Sequence, residues 1–294
     1  MKFVLSLLLA LCAASSQAAV AVVDDSGKQV VLARPAQRVI SMAPHVTELL
    51  FAAGGGARIV GAMNYSDYPL EARKIPLIGS NSQIDLERVI AMKPDLLIVW
   101  QSGNTARQIA QLQSLGIPVF HSEPRNLEMV ATSLERFGRL LGTDQAANDA
   151  ATRFRARVTS LRTRYAARPP VAVFYQVWDN PIYTLNGDQI ASDVIRLCGG
   201  KNVFGELKTV APQVSVEAVL QRDPEAIFGG KRYTPQDRGL TIWEPYRGMT
   251  AVRRKNLFEL DGESLTRPGP RVVEGAALMC ARLEEARARR PQGR

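Results

Sequence analysis

The chain has 294 residues and a formal net charge of +9, which is enough length for two hydrophobic cores of ordinary size. Its arginines cluster at 153–168 and 282–294, where they alternate with Ala, Leu and Glu at helical spacing rather than with aromatic residues. This pattern is typical of solvated helix faces and argues against a nucleic-acid-binding groove, so we expect no nucleic-acid partner.

The N-terminus has the features of a secretory signal peptide. Lys2 precedes an apolar run from Phe3 to Ala14, and Ser16-Gln17-Ala18 is a small-x-small cleavage pattern. The apolar run is too short to span a bilayer comfortably. Cys12 lies inside this run and lacks the small preceding residue of a lipidation site. We therefore predict that residues 1–18 are removed and that the mature chain is exported and soluble.

Residues 19–142 predict a first α/β lobe. The stretch from Val20 to Leu32 alternates between apolar and polar residues around Ser26-Gly27, as a β-hairpin does. Apolar strand candidates follow at 38–42, 58–63, 76–78, 95–100 and 117–120. Predicted helices lie between them at 45–53, 84–92, 104–115 and 126–141. This alternation of strands and helices predicts a mostly parallel sheet.

A short pattern occurs twice, once in each half of the chain, and each copy is a helix followed by a strand. Asp85 and Ser215 stand where a helix N-cap belongs, and Glu87 and Glu217 fall in the first turn, where a carboxylate is favoured. A proline ends each helix before an apolar run. The duplication predicts two similar lobes, each with an acidic helix start.

The segment 143–169 predicts one long connecting helix. Its apolar residues recur at helical spacing: Ala147, Ala151, Phe154, Val158, Leu161 and Tyr165. The helix is predicted to begin at an N-cap on Thr143 and to stop at Pro169-Pro170. A helix of this length spans about 30 Å at 1.5 Å per residue. It would form a rigid connection between the two halves.

Residues 170–294 predict a second α/β lobe. Strand candidates lie at 171–177, 182–184, 225–229 and 257–260, and helices near 188–198, 215–222 and 270–288. The expected fold is α/β, with two Rossmann-like lobes whose mostly parallel sheets are joined by the long helix. Ligands of such sheets bind at the carboxyl ends of the strands, which predicts a ligand cleft between the lobes.

Removal of the signal peptide would leave Cys198 and Cys280 as the only cysteines. In an oxidising compartment two remaining thiols are more often paired than free. The alternative is two buried thiols that never meet. Neither interpretation requires a metal ion.

Several motifs carry a family resemblance. They are Asp24-x-x-Gly27-x-x-Val30-x-Leu32, Pro35-x-x-Arg38-Val39-Ile40-Ser41-x-x-Pro44-x-x-Thr47-Glu48-Leu49-Leu50, Tyr65-Ser66-Asp67-Tyr68-Pro69, Lys93-Pro94-Asp95-Leu96, Leu115-Gly116-Ile117-Pro118-Val119, Cys198-Gly199-Gly200-x-Asn202-Val203-Phe204 and Arg267-Pro268-Gly269-Pro270-Arg271. Together they resemble periplasmic solute-binding proteins of the iron-siderophore, haem and cobalamin class, over essentially the whole mature chain. Within the class the closest likeness is to the cobalamin-binding members.

The resemblance implies a periplasmic monomer that holds its ligand between two lobes and delivers it to an ABC importer, a permease dimer with its ATPase. It also implies a disulfide between Cys198 and Cys280. No resident cofactor is expected, because the cobalamin or other metal-containing compound is cargo. In this class matching glutamates dock onto arginines of the permease, and Glu87 and Glu217 fall on those positions. The alternative is that each glutamate only complements its helix dipole.

Four aromatic residues are candidates for the ligand cleft. Tyr65 and Trp100 end or follow strands of the first lobe, and Trp178 and Tyr183 bracket a turn of the second. Such side chains offer flat apolar area with a polar tip to a planar ligand such as a corrin or porphyrin. The alternative is that each packs under a loop. Trp243 is predicted to lie in the core.

The predicted ligand site departs from that of the cobalamin binders. Asn81 and Ala211 stand at two positions where those relatives carry Trp, and Trp178, one position from a family contact, is a hypothetical replacement. Arg267 precedes a helix and is expected to hydrogen-bond a polar ligand group or to pair with a neighbouring acid. Cobalamin is therefore the first ligand hypothesis, with a related corrinoid, haem or an iron-siderophore complex as alternatives.

Two other functional classes, a metal-ion carrier and an exported enzyme, are less well supported. The only histidines are His45 and His121, without a clustered acidic partner in sequence, so each is interpreted as an ordinary polar residue and no metal site is expected. The sequence contains no Gly-x-Ser-x-Gly elbow, His-Glu-x-x-His motif, Walker loop or dinucleotide fingerprint. An exported enzyme remains the alternative of another class.

Overall fold

The computed structural model describes residues 19–81, 83–230, 237–261 and 263–291. The predicted signal peptide, residues 1–18, lies outside this part of the chain. Within the described ranges, no helix combines the length and the apolar character that crossing a membrane requires. The predicted fold class is confirmed, since two parallel sheets are covered by helices and connected by one long helix.

The first sheet is entirely parallel. The hairpin of β1 (Val20–Val23) and β2 (Gln29–Leu32) precedes it and is antiparallel, as the alternation of polarity predicts. The sheet itself has the spatial order β4 (Ile59–Ala62), β3 (Val39–Met42), β5 (Leu96–Trp100) and β6 (Val119–Ser122). The direction of winding therefore reverses between β3 and β5, which opens a crevice at their carboxyl ends.

Helices cover both faces of this sheet. They are α1 (Pro44–Ala52), α2 (Leu86–Ala91), α3 (Ala106–Ser114) and α4 (Leu127–Leu141). Leu96 and Ile98 of β5 lie in one core cluster with α1 and α4, whereas Leu97 and Val99 lie in the other with α2 and α3. Strands buried on both faces need continuous apolar runs, which is why the sequence shows them so clearly.

The long helix α5 (Asp144–Tyr165) is embedded in the molecule rather than free-standing. Its buried residues belong to a core cluster that also contains residues of both sheets: Ala147, Ala151, Phe154, Val158 and Tyr165. Thr143 occupies the N-cap position, but its hydroxyl does not cap the helix as predicted. It donates instead to the carbonyl of Ala53 at 2.6 Å, tying the start of α5 to the end of α1.

The second sheet repeats the strand order of the first. It has the order β10 (Gly200–Asn202), β7 (Val171–Gln176), β11 (Ala226–Gly230) and β12 (Leu257–Leu260), all parallel. Strand β10 is not predicted from the sequence, because a short edge strand of Gly, Lys and Asn has no apolar run. Conversely, the strand predicted at 76–78 is only one isolated bridge between Leu77 and Ala62.

The strand predicted at 182–184 does not join this sheet. It forms β9 (Ile182–Tyr183), which pairs antiparallel with β8 (Trp178–Asp179). The helices of the second lobe are α6 (Ile190–Leu197), α7 (Val216–Arg222), α8 (Thr250–Arg253), α9 (Glu263–Thr266) and α10 (Val272–Ala288). Trp243 is fully buried in the core of this lobe, as predicted.

Cys198 and Cys280 form the expected disulfide, with their Cα atoms 4.7 Å apart. The bond joins the end of α6 to α10. Beside it, the guanidinium of Arg287 donates to the carbonyls of Pro169 at 2.8 Å and Cys198 at 2.8 Å. A covalent bond and an arginine thus fix the last helix against the start of the second lobe.

Candidate functional site

A cleft of about 550 Å³ lies between the lobes and is called the interlobe cleft below. Its lining consists of Met42, Ala43, Pro44, Met63, Asn64, Tyr65, Ser80, Asn81, Trp100, Trp178, Glu263 and Arg267. The first nine belong to the N-terminal lobe and follow the carboxyl ends of its strands or the loops nearby. Its position agrees with the place where the winding of parallel sheets predicts a ligand.

Trp100 is held in one orientation at the end of β5. The edge of its indole meets the ring of His45, with centroids 5.8 Å apart, and its ring nitrogen lies 3.4 Å from a carboxylate oxygen of Glu123. Gly103 packs directly against the indole, because a Cβ atom there would lie 2.0 Å from Trp100 Cε3. Only glycine leaves room for this stacking, so the loop fixes the aromatic plane in advance of any ligand.

Tyr65 and Trp178 approach the interlobe cleft from different lobes. Tyr65 is 75% exposed and has a φ of 66°, and Trp178 is 40% exposed, with its ring nitrogen donating to the carbonyl of Asn180 at 3.0 Å. Both side chains are available to a ligand.

The structure separates the remaining predicted ligand residues into two groups. Asn81 and Arg267 belong to the cleft lining, as do Tyr65, Trp100 and Trp178. Tyr183 and Ala211 are not among the lining residues. Tyr183 is the cross-strand partner of Trp178 in the β8–β9 hairpin, and Ala211 is exposed.

Of the two positions where the resemblance to cobalamin binders implies Trp, only Asn81 therefore belongs to the lining of the interlobe cleft.

Arg267 lies in the cleft lining and also pairs with acids, so it fits both the ligand contact and the acid pairing expected from the sequence. Its side chain lines the interlobe cleft yet is only 16% exposed, and it pairs with Glu263 at 2.6 Å and with Asp67 of the other lobe at 3.6 Å. Its Nη1 is buried and makes no hydrogen bond within the described residues, but it lies 3.6 Å from a carboxylate oxygen of Asp67 and 3.9 Å from one of Glu48. Both acids belong to the N-terminal lobe, so this guanidinium is a charge contact between the lobes at the edge of the cleft.

A buried ion pair joins the lobes near the cleft. Glu48 on α1 is almost fully buried and accepts two hydrogen bonds from Arg271, at 2.6 and 2.9 Å. Arg271 also lies over the ring of Tyr68, 4.1 Å from its centroid. The hydrogen bonds to Glu48 raise the pKa of Arg271 further above its usual value, against the opposing effect of burial. The charges are satisfied by each other, which holds the two lobes in register.

The two histidines have different surroundings. Burial, aided by the positive charge of Arg267, lowers the pKa of His45 to about 3, so its ring is neutral near pH 7. The Nδ1 atom of His121 lies 2.9 Å from a carboxylate oxygen of Asp24, an acidic partner that sequence reasoning missed. The two residues are 97 positions apart and meet only because the hairpin packs beside β6.

Seven lining residues are absent from the sequence-based prediction, and three of them stand at the carboxyl ends of strands. Met42 ends β3, while Met63 and Asn64 directly follow β4. The rule that singles out Trp100 at the end of its strand applies equally to these three positions. Their side chains are neither aromatic nor charged, so residue type alone does not mark them as ligand contacts.

Glu87 and Glu217 occupy equivalent places in the two lobes. Helix α2 leads into the third strand of the first sheet and α7 into the third strand of the second. The predicted caps are present, because Asp85 accepts from the backbone of Arg88 at 2.9 Å and Ser215 from that of Ala218 at 3.2 Å. Both glutamates are exposed.

Hydrogen bonds from its own backbone N–H and from the Ser215 hydroxyl lower the pKa of Glu217. Its carboxylate therefore stays charged throughout the neutral range. The N-terminus of a helix also favours a negative charge nearby.

A model of the periplasmic binding protein family matches residues 39–264. The chain belongs to this family. The vitamin B12-binding protein of Vibrio cholerae serotype O1 is 35% identical over 252 residues, which cover 86% of this chain and 91% of the relative. The corresponding protein of Yersinia pestis is 36% identical over 251 residues, 85% of this chain and 88% of the relative.

Solved structures of this family agree with the fold. The periplasmic vitamin B12 binding protein of Vibrio cholerae superposes with a TM-score of 0.79 at 34% identity, covering 86% of this chain and 98% of that one. A periplasmic haem-binding protein of Pseudomonas aeruginosa gives a TM-score of 0.74 at 24% identity, over 88% and 95% of the chains, and shows the fold alone. Family members bind a small ligand and work with ABC importers rather than catalysing a reaction.

Proposed function

We propose that this chain binds cobalamin or a related corrinoid in the interlobe cleft and delivers it to the permease of an ABC importer. The observation that carries the proposal is the convergence of Tyr65, Trp100 and Trp178 on one open cleft between lobes. A planar macrocycle suits such surfaces. Two relatives that are 35% and 36% identical to this chain over the aligned residues are named for vitamin B12.

Haem or an iron-siderophore complex is the second candidate. Asn81 presents a small polar side chain where cobalamin binders carry Trp, which removes one stacking surface from the interlobe cleft. Solved proteins of the same fold include haem-binding and Fe³⁺-hydroxamate transport components. The metal in each of these compounds is part of the cargo, so no resident cofactor is proposed.

An ultraviolet-visible titration of the apo protein with cyanocobalamin, haemin and a ferric hydroxamate tests the cargo. The expected result is a saturable spectral change with cyanocobalamin at one equivalent, and weaker or no change with the others. Tight binding of haemin or the ferric hydroxamate, without a response to cyanocobalamin, would contradict cobalamin as the cargo. A Trp100→Ala variant serves as the control that places the signal in the interlobe cleft.

The docking role of Glu87 and Glu217 belongs to the same proposal. Two fixed anions at equivalent positions of the two lobes match a two-fold permease, because complementary charges steer encounter and set register. We propose export through the signal peptide at residues 1–18 and docking in the periplasm.

Uptake of labelled cyanocobalamin by cells carrying Glu87→Gln and Glu217→Gln together tests docking. We expect transport to fall while cyanocobalamin affinity of the purified variant stays unchanged. Glu71→Gln with Glu244→Gln is a matched control, since these are also exposed glutamates, one from each lobe. Equal uptake by both double variants would rule out the docking role.

A further inference from the structure

A second cavity lies on another side of the lobe junction. It is an open cavity of about 470 Å³ between α1, α4, α5 and the start of α10, and is called the back cavity below. It shares no lining residue with the interlobe cleft. Its volume lies within the roughly 300–1,000 Å³ typical of small-molecule sites.

The walls of the back cavity are largely apolar. Leu134, Phe154 and Val273 line it and are almost fully buried themselves, while Phe51 and Ala150 are half-buried. These residues come from both lobes and from the connecting helix. A wet cavity with such walls gains free energy when apolar atoms displace the water.

The charged residues around the back cavity do not balance. Arg157 pairs with Glu274 at 2.6 Å, and Arg271 pairs with Glu48 at 2.6 Å. Arg153, on the same face of α5 as Arg157, makes no hydrogen bond or ion pair with any residue that the structure describes. Three arginines against two glutamates leave one positive charge at the mouth of an apolar cavity.

We propose that the back cavity is a second ligand site, which takes a small organic monoanion with an apolar body. The body lies against Phe51 and Phe154, and the carboxylate or sulfonate of the ligand pairs with Arg153. The occupant contacts both lobes and α5 at once, beside the Glu48–Arg271 pair. The proposal is independent of which cargo occupies the interlobe cleft.

Fluorescence titration with 8-anilinonaphthalene-1-sulfonate tests this site, since the dye combines an apolar body with one negative charge. We expect one saturable site in the wild-type protein. Arg153→Gln should weaken its affinity about fivefold, as the loss of a partly exposed charge pair does. Ala150→Trp fills the cavity and should abolish binding.

Three controls make the result specific. Arg164→Gln, an exposed arginine on the same helix outside the cavity, should leave dye affinity unchanged, and so should Trp178→Ala in the interlobe cleft. The uncharged analogue N-phenyl-1-naphthylamine should bind wild type and Arg153→Gln equally.

The proposal is overturned if Ala150→Trp and Arg153→Gln bind the dye like wild type, or if only Trp178→Ala loses it. Circular dichroism checks that Ala150→Trp is folded. If it is not, Arg153→Gln decides, because the exposed Arg153 makes no contact on which the fold depends.

Discussion

The two lobes share a strand order and a capped acidic helix, yet they contribute differently to the interlobe cleft. The N-terminal lobe supplies nine of the twelve lining residues, most of them apolar or uncharged, whereas the C-terminal lobe supplies Trp178 and the charged pair Glu263 and Arg267. The duplicated fold therefore sets where the ligand lies. If the interlobe cleft holds the cargo as proposed, the N-terminal lobe supplies most of its contact surface and the C-terminal lobe its charged groups.

The lobes also differ in how they are stabilised. The disulfide between Cys198 and Cys280 lies within the C-terminal lobe, while both histidines of the sequence lie in the N-terminal lobe. Reduction should therefore act on one lobe and acid on the other.

Reduction of the disulfide should have the largest effect. The bond closes a loop across a sequence separation of 82 residues, and its loss should lower the free energy of unfolding by about 3 kcal/mol. Guanidinium unfolding of the wild type with and without reductant, followed by circular dichroism, measures the change. The variant Cys198→Ser with Cys280→Ser should be insensitive to reductant; an equal response would show that the disulfide is not responsible.

Acid should destabilise the N-terminal lobe through His45. Its pKa is lowered to about 3 in the folded chain, whereas the unfolded chain binds the proton below about pH 6.5. Between these values the unfolded state carries the extra proton, so the free energy of unfolding should fall by about 1.4 kcal/mol for each pH unit of acidification. Urea unfolding at several pH values measures the slope. His45→Gln should show a weaker dependence of the free energy of unfolding on pH. His121→Gln should keep the part of that dependence that comes from His45.

Removal of Trp100 should weaken cargo binding more than removal of Trp178. Trp100 is held in one orientation by Gly103 and His45, so less ordering entropy is lost when a ligand binds it, whereas Trp178 is 40% exposed. We expect Trp100→Ala to cost about 2 kcal/mol, or roughly 30-fold in Kd for cyanocobalamin, and Trp178→Ala about fivefold. Spectral titration measures both. Equal losses would mean that the two lobes share recognition of the macrocycle evenly.

An aromatic residue at position 81 should have the smallest effect, and it should strengthen cargo binding rather than weaken it. Asn81 lines the interlobe cleft, so Asn81→Trp should tighten cyanocobalamin binding about fivefold, or about 1 kcal/mol. Ala211→Trp is the matched control, because Ala211 lies outside the lining. Calorimetric titration of the two variants distinguishes them, and a gain at Ala211 instead would contradict the assignment of the cleft lining.

The sequence predicts features that depend on local patterns. Apolar runs give the parallel strands, helical spacing gives α5, and Asp85 and Ser215 give the starts of their helices, because these signals involve residues close together in the chain. The aromatic residue at the end of a strand, Trp100, follows from topology alone. Local signals of this kind therefore predict much of the fold and part of the site.

Features that depend on contacts between distant residues cannot be predicted from local sequence patterns. Strand β10 has no apolar residues and therefore no strand pattern in the sequence. The pairs Asp24–His121 and Glu48–Arg271 join residues that are far apart in the chain. Tyr183 has the right residue type and is the cross-strand partner of Trp178, yet it is not part of the cleft lining. Only packing decides which of several plausible side chains reaches a cleft.

The Glu48–Arg271 pair also bears on the order in which the chain folds. Its partners are 223 residues apart, with all four strands of the second sheet between them in sequence. All residues of the first lobe precede Arg271 in the chain by more than a hundred positions, roughly the length of the second lobe. Large chains fold in units beginning from the N-terminus. We therefore expect the binding surface of the first lobe to form early and the closing contact between the lobes to form among the last.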